Sequence, residues 1–550
     1  MMQKNAMPAP VQASGPRGDL GTHVVENQPV PRTAWCLWDG DRALREQVAH
    51  HGGDGSALAE AGALYGSAEI LQAAEDARRD PPRLTLFARS GHRLDEVQFN
   101  PGYHRVMSAA KEQGYAHSAW SGKAGGHVTH AAHVYMLNQV EPGVCCPMTM
   151  TYAAVPALQA DATLSEIWVP RLLSPEYDGS ARRVEQKKGV TLGMAMTEKQ
   201  GGSDVRANST RAVRDGQHYR LTGHKWFCSA PMSDGFLTLA YAEGGLTCFL
   251  VPRWLEGERN GIRLQRLKDK LGNRANASSE IEYVDALAYR LGEEGAGVRT
   301  IIEMVHHTRL DTALAPAGLM RAALAEAAWW VEGRSVFQKK LIDQPLMRSV
   351  LADLALDAEG ALASSMAMAA AFDRQDEESR ALARIGVALA KYLNNKRCIP
   401  VIGEAMEVLG GMGYIEETPM PMLYREAPLN GIWEGSGNVI CLDILRSLAR
   451  EPRAGEALNA MLDRVRGGDR RYDEALEAHR ARWPGLPTEG EARWFAESLA
   501  TLMTAASLLD TAPNAVAEGY VTSRLSGMRG SLPGSVSGLD ETAILERLTG

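Results

Sequence analysis

The stretch GVTLGMAMTEKQGGSDV, residues 189–205, is where the chain changes period. Upstream, in ALREQVAHHG, SALAEAGALYGSAEILQAAEDA and GHVTHAAHVYMLNQV, apolar residues recur every three or four positions, the signature of amphipathic helix. Breaks are expected at Pro81-Pro82, Asn100-Pro101 and Pro147. From 190 to 290 the pattern becomes short runs of strand type: GVTLGMAMTE, HYRLTGHKWFCSA, GFLTLAYA, LTCFLVPR and SEIEYVDALAY, divided by Asp-Gly, Gly-Gly and Pro turns. After 290 long Ala- and Leu-rich helices return, as in TIIEMVHHTRLDTALAPAGLMRAALAEAAWWVEG, and their short connections predict an antiparallel bundle. Residues 451–550 read as a further helical unit ending in the Gly- and Ser-rich RGSLPGSVSGLD. Helices, then a compact antiparallel sheet or barrel, then a bundle is neither an alternating βαβ chain nor an all-helical array.

Composition sets the outer limits. The chain has 550 residues, 45% hydrophobic and 23% charged, enough for several domains around a large core. A formal charge of -8 offers no global attraction to nucleic acid or an anionic membrane, so such a partner needs a local basic patch. Cysteines at 36, 145, 146, 228, 248, 398 and 441 are odd in number and lack metal-type spacing, which predicts a reducing, cytoplasmic setting. Residues 1–20, rich in Pro, Gly, Ser and Gln, read as a disordered tail without a secretion signal. The longest uncharged run, GVCCPMTMTYAAVPALQA, carries two prolines and three threonines and is not read as a membrane span.

Two short motifs offer chemistry. In MTEKQGGSDV, residues 196–205, Gly201 and Gly202 permit close backbone approach, and Thr197 and Ser203 bring hydroxyls suited to a phosphate or a polar ring edge. A plain surface turn fits the same residues, and neither a GxGxxG fingerprint nor a P-loop is present. In GIWEGSGNVICLDILRSLAR, residues 431–450, Glu434 lies in a bend between Trp433 and Gly435, and Asn438 is placed to cap the following helix. A carboxylate among apolar groups, once a ligand excludes water, gains proton affinity and can serve as a general base; a solvated loop Glu is the alternative. His127, His130 and His133 recur at three on one helix without a Cys, Asp or Glu nearby in sequence, so no metal site is assigned. No GxSxG elbow marks a hydrolase.

Together these blocks resemble the acyl-CoA dehydrogenase superfamily. MTEKQGGSDV, LTGHKWFCSA, LKDKLGNRANASSEIEYVDA, RSVFQKKLIDQPLMR, EVLGGMGY and WEGSGN are similar, in order, to its flavin loop, its Leu-Thr-Gly-x-Lys strand, its Lys-Leu-Gly-x-Arg segment, its Arg-x-x-Phe element, its Gly-Gly-x-Gly loop and its Tyr-Glu-Gly-Thr loop. NQPVPR, CPMTMTYAA and KDKLGNRANAS look like the branch that serves the bacterial adaptive response to DNA alkylation. The resemblance implies a mostly α fold with a small β domain: an N-terminal helical domain (21–190), a middle β-barrel (191–290), a C-terminal helical bundle (291–450) and an extra C-terminal helical domain (451–550).

It also implies FAD, an acyl-CoA substrate and a homotetramer. The flavin would be met by Met194, Thr197, Gly202, Ser203, Phe227, Cys228 and Ser229. Arg334, Phe337 and Gln344 would come from a neighbouring subunit, and Gly410, Gly411, Ile432, Trp433, Gly435, Ser436 and Asn438 line the remaining loops. Glu434 takes the place of the catalytic base. Some branches put the base on a bundle helix just before an Arg; here that position is Thr308, ahead of Arg309. Gln338 and Trp433 depart from the general pattern, which has Gly and Tyr there, and Glu407 stands where the general pattern has Gln. The same branch implies a second role, binding of double-stranded DNA through Arg446, Arg450, Arg464, Arg466, Arg470 and Arg471, with Arg480 and Arg482 close by. Against this, residues 451–550 hold 11 Arg, no Lys and 15 Asp plus Glu, a net acidic segment.

Overall fold

A computed structural model describes residues 16–549. The predicted tail lies outside the described residues up to residue 15, and Asp19 and Val24 form an isolated antiparallel bridge just beyond it.

The N-terminal part is built from α1 (Arg42–His51), α2 (Gly55–Tyr65), α3 (Ala68–Arg79), β1 (Arg83–Phe87), β2 (Arg93–Gln98), α4 (Pro101–Glu112), α5 (Gly126–Leu137), α6 (Pro142–Leu158) and α7 (Ala162–Leu172). Its helix starts follow local chemistry: Asp41, Asp54, Ser67 and Asp161 each accept a backbone N–H of the first turn. The structure corrects the helical reading twice. RLTLF and RLDEVQ pair antiparallel as a hairpin; RLTLF alternates apolar and polar residues, whereas RLDEVQ places its apolar Leu94 and Val97 three apart. The expected break at Pro147 is absent: α6 runs through both Pro147 and Pro156, buried almost throughout.

The middle sheet comprises β3 (Leu192–Ala195), β4 (Arg211–Asp215), β5 (His218–Ser229), β6 (Gly235–Ala242), β7 (Gly245–Pro252), β8 (Ile262–Leu267) and β9 (Ser278–Leu291). The order β6-β4-β5-β9-β7 returns to β6 through an antiparallel β6–β7 pairing and closes a small barrel. Strand β3 adds in parallel to β6, and β8 adds antiparallel to β9. The strands β4 and β8, short and charged, are additions to the sequence reading.

The bundle is α8 (Gly297–Gly333), a two-residue hairpin of β10 (Ser335–Val336) and β11 (Lys339–Lys340), α9 (Pro345–Phe372), α10 (Glu377–Val408), α11 (Met420–Glu426) and α12 (Gly437–Arg450). Pro316 sits inside α8, where its missing N–H frees the carbonyl four residues back. Asn395 on α10 takes up that carbonyl, its Nδ2 donating to Thr312 O at 3.0 Å. The chain ends in α13 (Pro452–Arg464), α14 (Arg470–Arg482), α15 (Ala492–Thr511), α16 (Asn514–Arg524) and α17 (Glu541–Thr549), so a helix follows the Gly- and Ser-rich stretch. These helices share one apolar core with the bundle: Leu458, Leu499, Met503, Val516 and Ile544 belong with Leu354 and Leu389.

Candidate active site

The bend at 196–205 is organised by a buried ion pair. Lys225 on β5 and Glu198 are both fully buried, with Nζ donating to Glu198 Oε1 at 2.8 Å and to Leu239 O at 2.9 Å. Thr210 Oγ1 and Ser209 N donate to the two carboxylate oxygens at 2.6 Å each. Burial pushes the Glu198 carboxyl up, but Lys225 and these donors outweigh it and hold it at about 2. The Glu in the middle of the motif therefore works inward, a role the sequence reading did not give it. What remains outward is Thr197 and Ser203, half-buried and exposed, whose hydroxyls have no partner among the described residues. A side chain at Gly202 would strike Thr197 Oγ1 at 2.7 Å, so glycine keeps that hydroxyl open.

Strand β5 carries a register shift between Lys225 and Cys228. A bulge re-aims side chains, and here it turns Phe227 outward, 50% exposed, and Cys228 into the barrel core. Only the backbone of Cys228 is thus available to a ligand on the outer side. Ser229 lies 3.3 Å from Ser278 Oγ, which accepts from Lys270 Nζ at 3.0 Å.

Glu434 lies in the loop between α11 and α12. Its φ of 56° is left-handed, a costly backbone for a non-glycine residue, and Gly435 follows at 102°. Thr308 Oγ1 donates to Glu434 Oε2 at 2.7 Å, and Arg309 Nε donates to the Glu434 carbonyl at 3.2 Å. Arg309 is itself anchored on Asp443 at 2.7 Å. Burial pushes the Glu434 carboxyl up, opposed by the Thr308 bond and by the charges of Arg309 and Lys391. Trp433, held by Nε1 donating to Asn430 Oδ1 at 2.8 Å, packs on the apolar cluster that includes Met194, Met196 and Tyr152. The loop that carries Trp433 and Glu434 and the strand end at Met194 and Met196 therefore share one apolar wall.

Other predicted positions lie elsewhere. Arg334 ends α8, 26 residues from Thr308 or roughly 39 Å along a helix. It donates to Asn27 O at 2.9 Å, Phe337 beside it is 92% exposed, and Gln344 closes the hairpin on Val336 O. Within one chain these three residues are out of reach of Glu434. Gly410 and Gly411 face open space, whereas the unpredicted Gly413 is the tight one, a Cβ there meeting Met406 O at 2.1 Å. Ile432 is 64% exposed and Ser436, not Asn438, occupies the cap position of α12. Asn438 lies inside the helix, and its Oδ1 accepts from Arg493 at 2.9 Å. The three histidines diverge: His127 meets Asp373, His130 meets Asp311 and Tyr115 O, and His133 meets the Tyr65 hydroxyl.

The residues present fit a flavin dinucleotide. The open hydroxyls of Thr197 and Ser203 and the glycine-cleared backbone beside them are donors suited to its phosphates and polar ring edge, and the outward Phe227 offers a face for its ring.

Comparison with known proteins agrees. Residues 27–179 match the adaptive response protein AidB N-terminal domain, 193–286 the acyl-CoA dehydrogenase middle domain and 295–449 the acyl-CoA dehydrogenase C-terminal domain. The chain is 47% identical over 464 residues to the putative acyl-CoA dehydrogenase AidB of Escherichia coli K12, covering 83% of this chain and 86% of that protein. Its fold is similar to that of ACDH-11 of Caenorhabditis elegans solved with C11-CoA, at TM-score 0.79 and 26% identity over 99% of this chain and 97% of the other. An acyl-CoA dehydrogenase of Bacillus anthracis complexed with FAD shares the fold at TM-score 0.65 and 18% identity, over 82% of this chain and 86% of that one. With an AidB-type N-terminal domain followed by the two dehydrogenase domains, the chain belongs to the acyl-CoA dehydrogenase family.

Proposed function

We propose that this chain holds FAD between its barrel and its bundle and dehydrogenates an acyl-CoA thioester across Cα–Cβ, with Glu434 as the base. When bound, the flavin supplies at N5 the acceptor for the β-hydrogen, which leaves as hydride while the α-proton goes to Glu434. The protein's own part is placement. The Thr308 hydroxyl fixes Oε2, Arg309 fixes the Glu434 carbonyl, and the left-handed backbone at Glu434 follows Trp433, which packs on the wall shared with Met194. Burial raises the proton affinity of this carboxylate, which suits it to accept a weakly acidic carbon-bound proton. Arg334 and Phe337, remote from Glu434 in the same chain, serve the site of another copy, which ties cofactor binding to assembly.

The observation that carries this reading is the Thr308–Glu434 bond: the helix position that holds the base in some branches here donates to the carboxylate that replaces it. The names of the relatives, a putative acyl-CoA dehydrogenase and a protein solved with C11-CoA, support the same substrate class.

Anaerobic mixing of the flavin-loaded protein with short, branched and long acyl-CoAs, read by loss of oxidised flavin absorbance, tests it. Glu434→Gln retains FAD and slows bleaching by about 10²- to 10⁴-fold, the scale of a general base. A variant that bleaches at the wild-type rate would remove Glu434 from the mechanism.

A further inference from the structure

Lys391 on α10 is 2% exposed, and its ammonium donates to Asn430 O and to Gly435 O, each at 2.9 Å. These two carbonyls bracket the bend that carries Glu434. Among the described residues Lys391 forms no ion pair, although a buried cation is ordinarily matched to a carboxylate. The charged groups that bear on it are Glu434 from the loop, Arg309 from α8 and Lys396 from its own helix. Glu434 is the one anion of the three. Asn395, one turn further along α10, holds the Thr312 carbonyl freed by Pro316 and also bonds Lys391 O at 2.8 Å. Neighbouring residues of α10 thus hold both the carbonyl that Pro316 frees in α8 and the loop that carries Glu434.

We propose that Lys391 is a positioning residue for the base: its ammonium ties the two ends of the Glu434 bend and adds, beside the charge of Arg309, a positive charge that favours the ionised carboxylate. The inference takes Glu434 as the base, as argued above, and adds a residue that touches neither substrate nor flavin. Tether and charge are separable, because a neutral amine still donates hydrogen bonds while exerting no field on the carboxylate. Burial lowers the Lys391 amine to about 7, so the charge is present below neutrality and fades as pH rises through that value. The base then works best where Glu434 has already lost its proton and Lys391 has not.

The test is the protonation midpoint of Glu434 in the full-length, FAD-loaded protein, followed by difference infrared spectroscopy with Glu434→Gln assigning the carboxyl band. Lys391→Met raises that midpoint by about one pH unit or more, the effect of losing a nearby opposite charge, and Lys391→Arg leaves it near wild type. In acyl-CoA bleaching the acid limb moves by the same interval and the maximal rate falls, with KM little changed. An unmoved midpoint in a Lys391→Met protein that retains FAD overturns the proposal. Should that variant fail to fold, Lys391→Gln, whose amide keeps two N–H donors and carries no charge, gives the same reading. Because the midpoint is measured without substrate, it decides Lys391 even where no acyl-CoA bleaches the wild-type flavin, the result that would defeat the dehydrogenase reading.

Discussion

Glu426, at the end of α11, shows how one buried carboxyl sets a pH dependence that composition conceals. It is 4% exposed, and its Oε1 accepts from the backbone N–H of Asn273. Burial, with Glu141 nearby, pushes it up to about 7 from an ordinary 4.5, against the Asn273 bond and the charges of Lys270 and Arg78. A carboxyl whose folded value is raised stabilises the fold fully below the unfolded value and loses that contribution as pH rises through the folded one. The loss therefore runs between about 4.5 and about 7 and is complete just above neutrality. Glu426→Gln keeps the acceptor and removes the charge. Its melting temperature should match wild type near pH 4 and exceed it above pH 7.5, by at most about 3 kcal/mol of stability. Calorimetry across that range checks the sign, and equal melting curves at every pH would refute it. Neither Glu426 nor Lys391 is legible from sequence, since a charged residue on a helix shows nothing of the loop it faces.

The elements tell a different story about legibility. The switch from helical to strand period at 189 is plain because each regime leaves a different spacing of apolar residues, and the motifs at 196–205 and 431–438 are recognisable as blocks. The strands β4 and β8 are missed because they are short and rich in arginine: β4 buries only Ala212, and β8 alternates Ile262 and Leu264 inward with Arg263 and Gln265 outward over too few residues to stand out. Glu198 is missed for a different reason: its partner Lys225 is 27 positions away and meets it only once β5 closes the barrel. That pair gives an element-level prediction. Lys225→Met strands a buried carboxylate and should cost about 3–5 kcal/mol, with loss of FAD retention as the 196–205 bend loosens. Adding Glu198→Gln should recover most of the stability, because the uncompensated charge is then gone. Thermal melts with flavin fluorescence as the second channel separate the cases; additive losses would show that the two side chains act independently.

At the scale of the molecule, the last hundred residues are integral to the bundle. Arg524 on α16 is buried at 1% against Asp353 and Asp357 of α9, at 2.6 and 2.9 Å, and Arg547 on α17 reaches Glu359 of α9 and Glu46 of α1. This docking determines what the outward arginines can do. Arg464 pairs with Asp510 at 3.0 Å, Arg466 with Glu477 at 3.0 Å, Arg470 with Glu474 at 2.7 Å and Arg471 with Asp469 at 2.5 Å. Arg480 and Arg482 likewise meet Asp463 and Glu491. Duplex affinity and its salt dependence come from cations that displace counterions from phosphates, and an arginine already facing a carboxylate must give up that partner first. Arg446 stands 3.8 Å from Asp443, which is already shared with Arg309 and Arg384. The arrangement therefore predicts weak duplex binding by this face. Between about 50 and 200 mM salt, affinity should change far less than the 10³-fold or more expected when six or more phosphates are neutralised. Charge reversal of Arg464, Arg466, Arg470 and Arg471 together should leave binding unchanged. A steep salt slope abolished by that reversal would show that these arginines leave their carboxylates for phosphate, and would restore this face as a nucleic-acid surface.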